Sequence, residues 1–214
     1  MELRLFPLQT VLFPGMPLPL RVFEARYRQL VAECLDASEP FGVALIREGA
    51  EVGGAAVPHA LGTTARIRSV EPDAQGRLQL ETLGERRFRI VGLHADRPYL
   101  WADVEYPVDE PSEVPEALVQ RARERYAALV RLRLAATGEY VRDVRMPEVP
   151  GALADAAGAI VIARPQELQE LLEIMDVRRR LERAVELLEV GILAAHQVAG
   201  AAIARRYGDL ESLN

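Results

Sequence analysis

The chain has 214 residues, of which half are apolar and 27% are charged, so it can fold as one large domain or two small ones without disulfides. All 26 of its basic residues are arginine, and the absence of lysine excludes P-loop nucleotide hydrolysis, lysine Schiff-base chemistry and a Ser-Lys catalytic dyad. The formal net charge of −6 argues against a protein dedicated to nucleic acid, because phosphate binding needs concentrated positive charge.

The cysteine content and the hydropathy indicate a cytoplasmic protein. The single cysteine, Cys34, cannot form an intrachain disulfide and suits a reducing compartment. Prolines interrupt the first apolar run, which lacks a clear basic segment at its amino end, so it does not resemble a signal peptide. No stretch reaches the ~18 uncharged apolar residues that a membrane span requires, and we expect no membrane contact.

The N-terminal apolar run contains four prolines between positions 7 and 19. Proline fixes φ and lacks an amide donor, which excludes a helix or a central strand. The pattern predicts two short extended pieces joined at residues 13–16, with Pro14 and Gly15 in a tight turn. A helix is expected to begin after Phe23 and Glu24.

Apolar residues at helical spacing predict that this early helix buries one face, formed by Tyr27, Leu30, Val31, Cys34 and Leu35. We interpret Cys34 as a small buried hydrophobic residue rather than a reactive thiol, because no histidine lies near it in sequence.

Alternating and fully apolar segments predict about six strands within the first ~100 residues, with a hairpin turn at residues 72–76. Gly84 interrupts one extended run, where we expect a bulge or a bend. With one early helix, this number of short strands predicts a small closed or partly closed β-barrel.

Proline and acidic residues accumulate at residues 107–115 and indicate a linker. Helical periodicity follows: a helix that ends at Gly138, an alanine-rich helix at residues 150–163, a third at residues 168–175 and a fourth capped by Asp176. Consecutive helices with short joints predict a bundle. We therefore predict an α+β fold, with a β-barrel at residues 1–110 and a helical bundle at residues 111–214.

The side chains form no catalytic or metal-binding pattern. The three histidines, His59, His94 and His196, are far apart in sequence and make no metal-ligand pair. We interpret His59 and His94 as exposed polar residues and His196 as a packed or hydrogen-bonded residue of an apolar helix. We expect no enzyme activity, no metal and no cofactor.

Two groups of residues remain as candidates for binding. The first is apolar and offers a rigid surface at and after the predicted turn: Phe13, Pro14, Met16, Leu18 and Phe23. The alternative interpretation is that these side chains plug the barrel. The second is a set of clustered arginines as candidate RNA contacts: Arg86, Arg87, Arg89, Arg121 and Arg125. Interleaved glutamates such as Glu124 favour ordinary solvated helix faces instead.

Three N-terminal motifs form a recognisable pattern: Phe6-Pro7-Leu8, Phe13-Pro14-Gly15-Met16-Pro17-Leu18-Pro19-Leu20 and Phe23-Glu24-Ala25-Arg26-Tyr27-Arg28. Together with residues 62–67, 84–90, 98–100 and 168–188, they resemble the amino-terminal substrate-binding domain of the ATP-dependent protease Lon. The similarity covers nearly the whole chain.

The resemblance implies a PUA-like β pseudo-barrel with one early helix, followed by a helical bundle, and a role in handling unfolded or damaged polypeptide in protein quality control. The family's ATPase and Ser-Lys protease modules are not found in this sequence. The chain therefore looks like a free-standing, non-catalytic member.

Three hypotheses follow for its partners. The first is a binding module for polypeptide clients or for a partner protein. The alternative is RNA binding, because PUA-like barrels also occur in RNA-binding proteins, although the net charge argues against nucleic acid as a partner. The third is a homodimer through the C-terminal helices, where Gly191, Ala195, Ala199 and Ala202 allow close helix approach; packing within the chain's own bundle is its alternative.

Overall fold

The computed structural model describes residues 1–51, 56–75 and 77–211, with side chains as far as residue 197. It divides into two compact units. The first contains Met1–Glu110 and Arg164–Met175, and the second contains Pro111–Ala163 and the described residues from Asp176 onward. The fold class is α+β, as predicted, with a sheet-rich N-terminal part and helices at the C-terminus. Residues 164–175, which the predicted limits of 1–110 and 111–214 assigned to the bundle, belong to the first unit.

The elements follow one another along the chain as β1 (Glu2–Leu8), β2 (Pro17–Val22), α1 (Ala25–Ala37), β3 (Phe41–Glu48), β4 (Val57–Pro58), β5 (Leu61–Pro72), β6 (Leu78–His94), β7 (Trp101–Glu105), α2 (Glu116–Ala136), α3 (Pro150–Ile160), α4 (Pro165–Glu173) and α5 (Val177–Glu211).

Five of the strands close into a ring. The pairing runs β1, β7, β6, β5, β3 with antiparallel neighbours, and a parallel pairing between β3 and β1 closes it. Outside the ring, β2 pairs with β6 and β4 pairs with β3. The sequence did not predict β4, because Val57 and Pro58 follow a glycine-rich stretch that resembles a loop.

β6 is one strand of 17 residues where the sequence suggested two pieces separated at Gly84. Along one edge it pairs with β5, from Leu61 opposite Arg89 to Pro72 opposite Leu78. Along the other edge it pairs first with β2 and then with β7. The predicted hairpin joins β5 to β6, and the Asp73 amide donates to the Arg77 carbonyl over 2.7 Å; Gly76 lies outside the described residues.

α1 packs the predicted face against the barrel core, where Tyr27, Leu30, Val31 and Cys34 are buried. Leu35, predicted on the same face, is 45% exposed. Burial raises the pKa of Cys34 to about 11, so the thiol stays protonated at neutral pH, in agreement with a structural role.

α4 belongs to the first unit because polar side chains attach it to the barrel. Arg87 Nε donates to the Leu172 carbonyl over 2.8 Å, and Gln169 Nε2 donates to the Leu61 carbonyl over 3.0 Å. These contacts satisfy buried polar groups and fix the position of the helix.

The second unit consists of α2, α3 and α5. Its core includes a buried ion pair, with Arg180 Nε and Asp155 Oδ1 3.4 Å apart. Two predicted helix boundaries are confirmed: Asp176 Oδ1 accepts from the Arg179 amide at the start of α5 (2.7 Å), and Gly138, with φ of 81°, follows the end of α2. No helix within the described ranges is both long and apolar enough to cross a membrane.

Candidate functional site

The predicted turn between β1 and β2 is confirmed. The Met16 amide donates to the Phe13 carbonyl over 3.0 Å, and Gly15 has φ of 78°. This geometry needs proline, with its preset φ, at the second position of the turn and glycine at the third, where φ is positive. Pro14 and Gly15 therefore specify the direction in which the chain enters β2.

Gly84 anchors this turn to the barrel. The Gly15 amide donates to the Gly84 carbonyl (2.8 Å), and the Gly84 amide donates to the Met16 carbonyl (2.9 Å). A Cβ atom on Gly84 would lie 2.2 Å from the Phe13 carbonyl oxygen, so a larger residue cannot occupy this position without movement. The predicted bulge lies beside Gly84, because the β5–β6 register shifts between Thr63 and Ala65.

The structure separates the five predicted apolar site residues. Phe13 is fully buried and Leu18 is 8% exposed, so both are core residues and do not offer a surface. For Phe13 and Leu18, burial agrees with the alternative interpretation that these side chains fill the barrel interior. Met16 is partly buried against the core cluster and Pro14 is half-buried. Phe23, which directly follows β2, is 55% exposed.

Phe23 lies at an open cleft of about 130 Å³ between β1, β2 and the start of α1, which we call the strand–helix cleft. Most of its wall is apolar. The side chains that line it are Phe6, Leu8, Pro19, Leu20, Arg21, Val22, Phe23, Glu24, Tyr27 and Glu51.

Ring stacking and one arginine hold the wall in place. The rings of Phe6 and Tyr27 stack with centroids 3.9 Å apart. Arg26 lies over the Tyr27 ring at 4.5 Å, donates from Nε to Glu24 Oε2 over 3.0 Å, and donates from Nη2 to the Glu51 carbonyl over 3.3 Å. Because these groups restrain one another, the cleft is pre-organised before any ligand arrives.

A second cavity of about 450 Å³, which we call the sheet groove, continues along β2 over the outer face of β5 and β6. Its lining is mostly polar: Pro19, Leu20, Arg21, Ser69, Glu71, Gln79, Leu80 and Glu81. Strand register explains this lining. Pro19 and Ser69 flank Glu81, while Arg21 and Glu71 flank Gln79, so the two rows of side chains share one face.

A family model described as the ATP-dependent protease La (LON) substrate-binding domain matches residues 2–190. The chain belongs to the Lon substrate-binding domain family. The Lon protease of Syntrophus aciditrophicus (strain SB) is 30% identical over 204 residues, which are 88% of this chain and 26% of that protein. Lon protease 2 of Myxococcus xanthus is 34% identical over 195 residues, which are 87% of this chain and 23% of that protein. The chain spans about a quarter of the length of these curated relatives.

Two solved structures share the Lon N-terminal fold. The Lon N-terminal domain protein from Xanthomonas campestris has a TM-score of 0.67 and 29% identity, and the match covers 87% of this chain and 98% of that one. The N-terminal domain of Mycobacterium avium complex Lon protease has a TM-score of 0.66 and 23% identity, with 88% and 98% covered. The resemblance predicted from the sequence is confirmed at the level of family and fold.

The three candidate arginines in the barrel part of this Lon-family chain, Arg86, Arg87 and Arg89, are engaged in structural contacts. Arg87 is 6% exposed and donates to the α4 backbone, which removes it from the predicted RNA-contact set. Arg86 stacks over the Tyr106 ring at 3.5 Å, and Arg89 Nε lies 3.4 Å from Glu105 Oε1. Arg86 and Arg89 are exposed, but each is held by a contact to β7 or to the residue that follows it.

The other two candidate arginines, Arg121 and Arg125, lie in the second unit on α2. Both pair with the same carboxylate, Glu189 of α5, at 2.8 Å and 3.1 Å. Interhelical pairing of exposed arginine with glutamate is typical of a solvated helix face. RNA binding stays a prediction with less geometric support than polypeptide binding.

The histidines differ from the sequence interpretation. His94 Nε2 lies 2.8 Å from Asp103 Oδ2 and its ring stacks on Trp101 at 3.9 Å. His59 is half-buried, and His196, expected to be packed, is exposed. Within residues 1–51, 56–75 and 77–211 no group of three or more acidic, cysteine or histidine side chains is placed to hold a metal.

Sequence reasoning did not find the acidic side chains of the two cavities, Glu24, Glu51, Glu71 and Glu81. Alternation along β5 and β6 placed Glu81 on an outward face, but only the register shows which residues of β2 and β5 lie beside it. Tyr27 was predicted as a core residue, and its stacking on Phe6 depends on a meeting of β1 and α1 that periodicity does not show.

Proposed function

We propose that this protein binds segments of polypeptide without chemical change and that the strand–helix cleft is the binding site. The observation that supports this most is an open, apolar, pre-organised cleft beside exposed Phe23 in a chain of the Lon substrate-binding domain family. Entry of an apolar side chain would release water from both surfaces and supply most of the binding free energy.

The size of the cleft favours a side chain over a free small molecule. At about 130 Å³ it is smaller than the roughly 300–1,000 Å³ of a typical small-molecule pocket. One apolar side chain of a longer chain fits such a site, while the rest of the segment lies over β2. Pro14 and Met16, in the turn that leads into β2, stay predicted contacts.

We further propose that the clients are unfolded or damaged polypeptides and that the protein acts in cytoplasmic protein quality control, on its own or through a partner protein. The matched family model is that of a substrate-binding domain rather than a catalytic one. Because the sequence has no lysine, the chain has no Ser-Lys dyad with which to cut a bound segment.

Self-association through α5 stays a prediction. A Cβ atom on Gly191 would lie 3.4 Å from Leu129 of α2, so this glycine packs within its own bundle. Ala199 and Ala202 lie outside the residues whose side chains are described.

Replacement of Phe23 by aspartate tests the proposed site. Loss of a buried phenylalanine contact costs about 1.5–3 kcal/mol, so F23D is expected to weaken binding by roughly tenfold to a hundredfold. The measurement is fluorescence anisotropy of a labelled, reduced and carboxymethylated unfolded protein titrated with the wild type and the variant, with circular dichroism to verify folding.

L35D is the matched control, because Leu35 is 45% exposed on α1 and does not line the cleft. It is expected to bind as the wild type does. If the wild type does not bind the unfolded protein, or if F23D and L35D bind equally, the cleft is not a polypeptide site.

A further inference from the structure

The sheet groove and the strand–helix cleft share part of their lining along β2. Pro19, Leu20 and Arg21 line both cavities, so one extended segment that follows β2 would contact both. The character of the surface changes along this path, from apolar side chains at Phe23 to carboxylates at the groove. An extended ligand therefore meets two different chemical environments within a few residues.

The groove presents two carboxylates that have no described partner. Glu81 lies opposite Ser69, and Glu71 lies two residues further along β5, so the two are diagonal neighbours on one face, about 7–8 Å apart. Within the described residues, neither the Glu71 nor the Glu81 carboxylate makes a side-chain hydrogen bond or an ion pair, although both backbones are paired in the sheet. Like charges in this arrangement repel, and a cation between them would relieve the repulsion.

The described arginines nearby make no ion pair with these carboxylates. Arg26 is held by Glu24 and by the Tyr27 ring. Arg21 is diagonal to Glu81 across β2 and β6, but makes no ion pair within the described ranges. Four glutamates line the two cavities, Glu24, Glu51, Glu71 and Glu81, whereas Arg21 is the arginine in their described linings and Arg26 contacts the lining residues Glu24 and Glu51. The surface has an excess of negative charge.

The outer edge of β2 adds acceptors. The Met16 carbonyl accepts from the Gly84 amide and the Leu18 carbonyl accepts from Thr82 Oγ1, so alternate residues from Met16 face β6. The backbone carbonyl groups of Pro17 and Pro19 therefore point away from β6. Among the described strands, β2 pairs with β6 alone. Proline has no amide donor, so both positions offer carbonyl oxygens without a matching N–H group.

We propose that the preferred segment carries an arginine or lysine one to three residues from its apolar anchor, and that Glu71 and Glu81 select this basic residue. This inference rests on the proposed function of the cleft. Arginine and lysine side chains are donors without acceptors, which complements two carboxylates and an edge of proline carbonyls. The proposed spacing between the basic residue and the apolar anchor follows from the length of the shared wall. The stretch from Pro19 to Arg21 spans about two residue steps of ~3.3 Å, and an extended segment bound along it would advance by the same step.

Three fluorescein-labelled peptides test the proposal. They are twelve residues long and share one phenylalanine, which is followed by Arg-Arg, Ser-Ser or Glu-Glu in an otherwise uncharged Ser/Gly sequence. Wild-type protein is expected to bind the arginine peptide about three- to tenfold more tightly than the serine peptide, and the glutamate peptide more weakly, because exposed ion pairs are worth a few tenths to one kcal/mol each. The preference is expected to shrink between 50 and 300 mM NaCl.

The double variant E71Q/E81Q is expected to lose the preference for arginine while its affinity for the serine peptide stays within about twofold of the wild type. E113Q/E170Q, which removes two exposed carboxylates that do not line the groove, is the control and is expected to keep the preference. Equal affinity of the wild type for all three peptides, or an unchanged preference in E71Q/E81Q, overturns the selection by charge. In either case the proposed polypeptide site stands if F23D still lowers the affinity for the serine peptide. If F23D does not change that affinity, the strand–helix cleft is not the binding site.

Discussion

Gly84 determines whether the N-terminal turn reaches its place on the barrel. The Gly84 amide donates to the Met16 carbonyl, and the Gly84 carbonyl accepts from the Gly15 amide. These hydrogen bonds bring the Phe13 carbonyl so close to Gly84 that a side chain at position 84 would not fit. Gly15 has a different requirement. It has open space around it and needs glycine because φ is 78°. One glycine is required by close approach and the other by backbone conformation.

Substitution of each glycine by alanine separates these two causes. G84A is expected to lower the free energy of unfolding by about 2–4 kcal/mol, because a Cβ atom would displace the Phe13 carbonyl and break both hydrogen bonds. G15A is expected to cost about 1 kcal/mol, the price of a positive φ for a residue with a Cβ atom. Urea unfolding followed by circular dichroism measures both, and an equal or smaller loss in G84A would contradict the anchoring role of Gly84.

The turn was predictable from four residues, but the exposure of its neighbours was not. Proline and glycine encode backbone angles locally, so Pro14 and Gly15 indicated the turn without further context. Burial depends on what covers a side chain. Phe13 and Leu18 point into the barrel and Phe23 does not, and their sequence neighbours are similarly apolar. The sequence therefore indicated the group of apolar candidate residues, but not which of them are buried and which are exposed.

At the scale of elements, α1 is tied to the barrel by a network of charged and polar groups around Glu33. Tyr99 Oη donates to Glu33, and Arg4 of β1 donates to the same carboxylate over 3.1 Å and to Glu39 over 2.9 Å. Hydrogen bonds from Tyr99, Gln29 and Arg4 lower the pKa of Glu33 to about 2 from its usual 4.5. The network therefore prefers the ionised carboxylate.

The pH dependence of this network follows from the lowered pKa. A carboxylate whose pKa is lower in the folded state adds stability above its unfolded pKa of 4.5, and this stability is lost as pH falls from 4.5 towards 2. Y99F removes the main cause of the shift and is expected to cost about 1 kcal/mol at pH 7. Its deficit relative to the wild type should narrow between pH 4.5 and pH 3, as measured by urea unfolding.

Y126F is the control, because Tyr126 of α2 is half-buried and has no described carboxylate partner. Its effect on stability should not change with pH over the same range. A constant deficit for Y99F would show that the hydroxyl does not act through Glu33.

Helices could be predicted where the apolar periodicity extends over many residues. The elements against which each helix or strand packs could not be predicted. Helices α1 and α2 follow from regular apolar spacing. The same spacing in α4 gave a helix but not its partner, because Gln169 and Arg87, which attach it to the barrel, are polar residues that carry no periodic signal. Strand register, which places Glu71 beside Glu81, depends on bulges such as the shift between Ile67 and Ser69.

At the scale of the whole molecule, the sequence was sufficient to predict the fold class and the family. The proposed binding surface lies in the first unit. The strand–helix cleft exists because β1, β2 and α1 meet there, and these elements are brought together by barrel closure through the β1–β3 pairing. No local pattern encodes such a meeting. The central claim is that this surface of the first unit holds a polypeptide segment.

Hydrogen exchange followed by mass spectrometry tests that claim most directly, with the protein free and saturated with a reduced, carboxymethylated unfolded protein. We predict slower amide exchange on binding in peptides that cover residues 18–29 and 69–83, with exchange elsewhere in the first unit unchanged. Slower exchange confined to residues of the second unit, or no change at residues 18–29 despite saturation, would contradict the account.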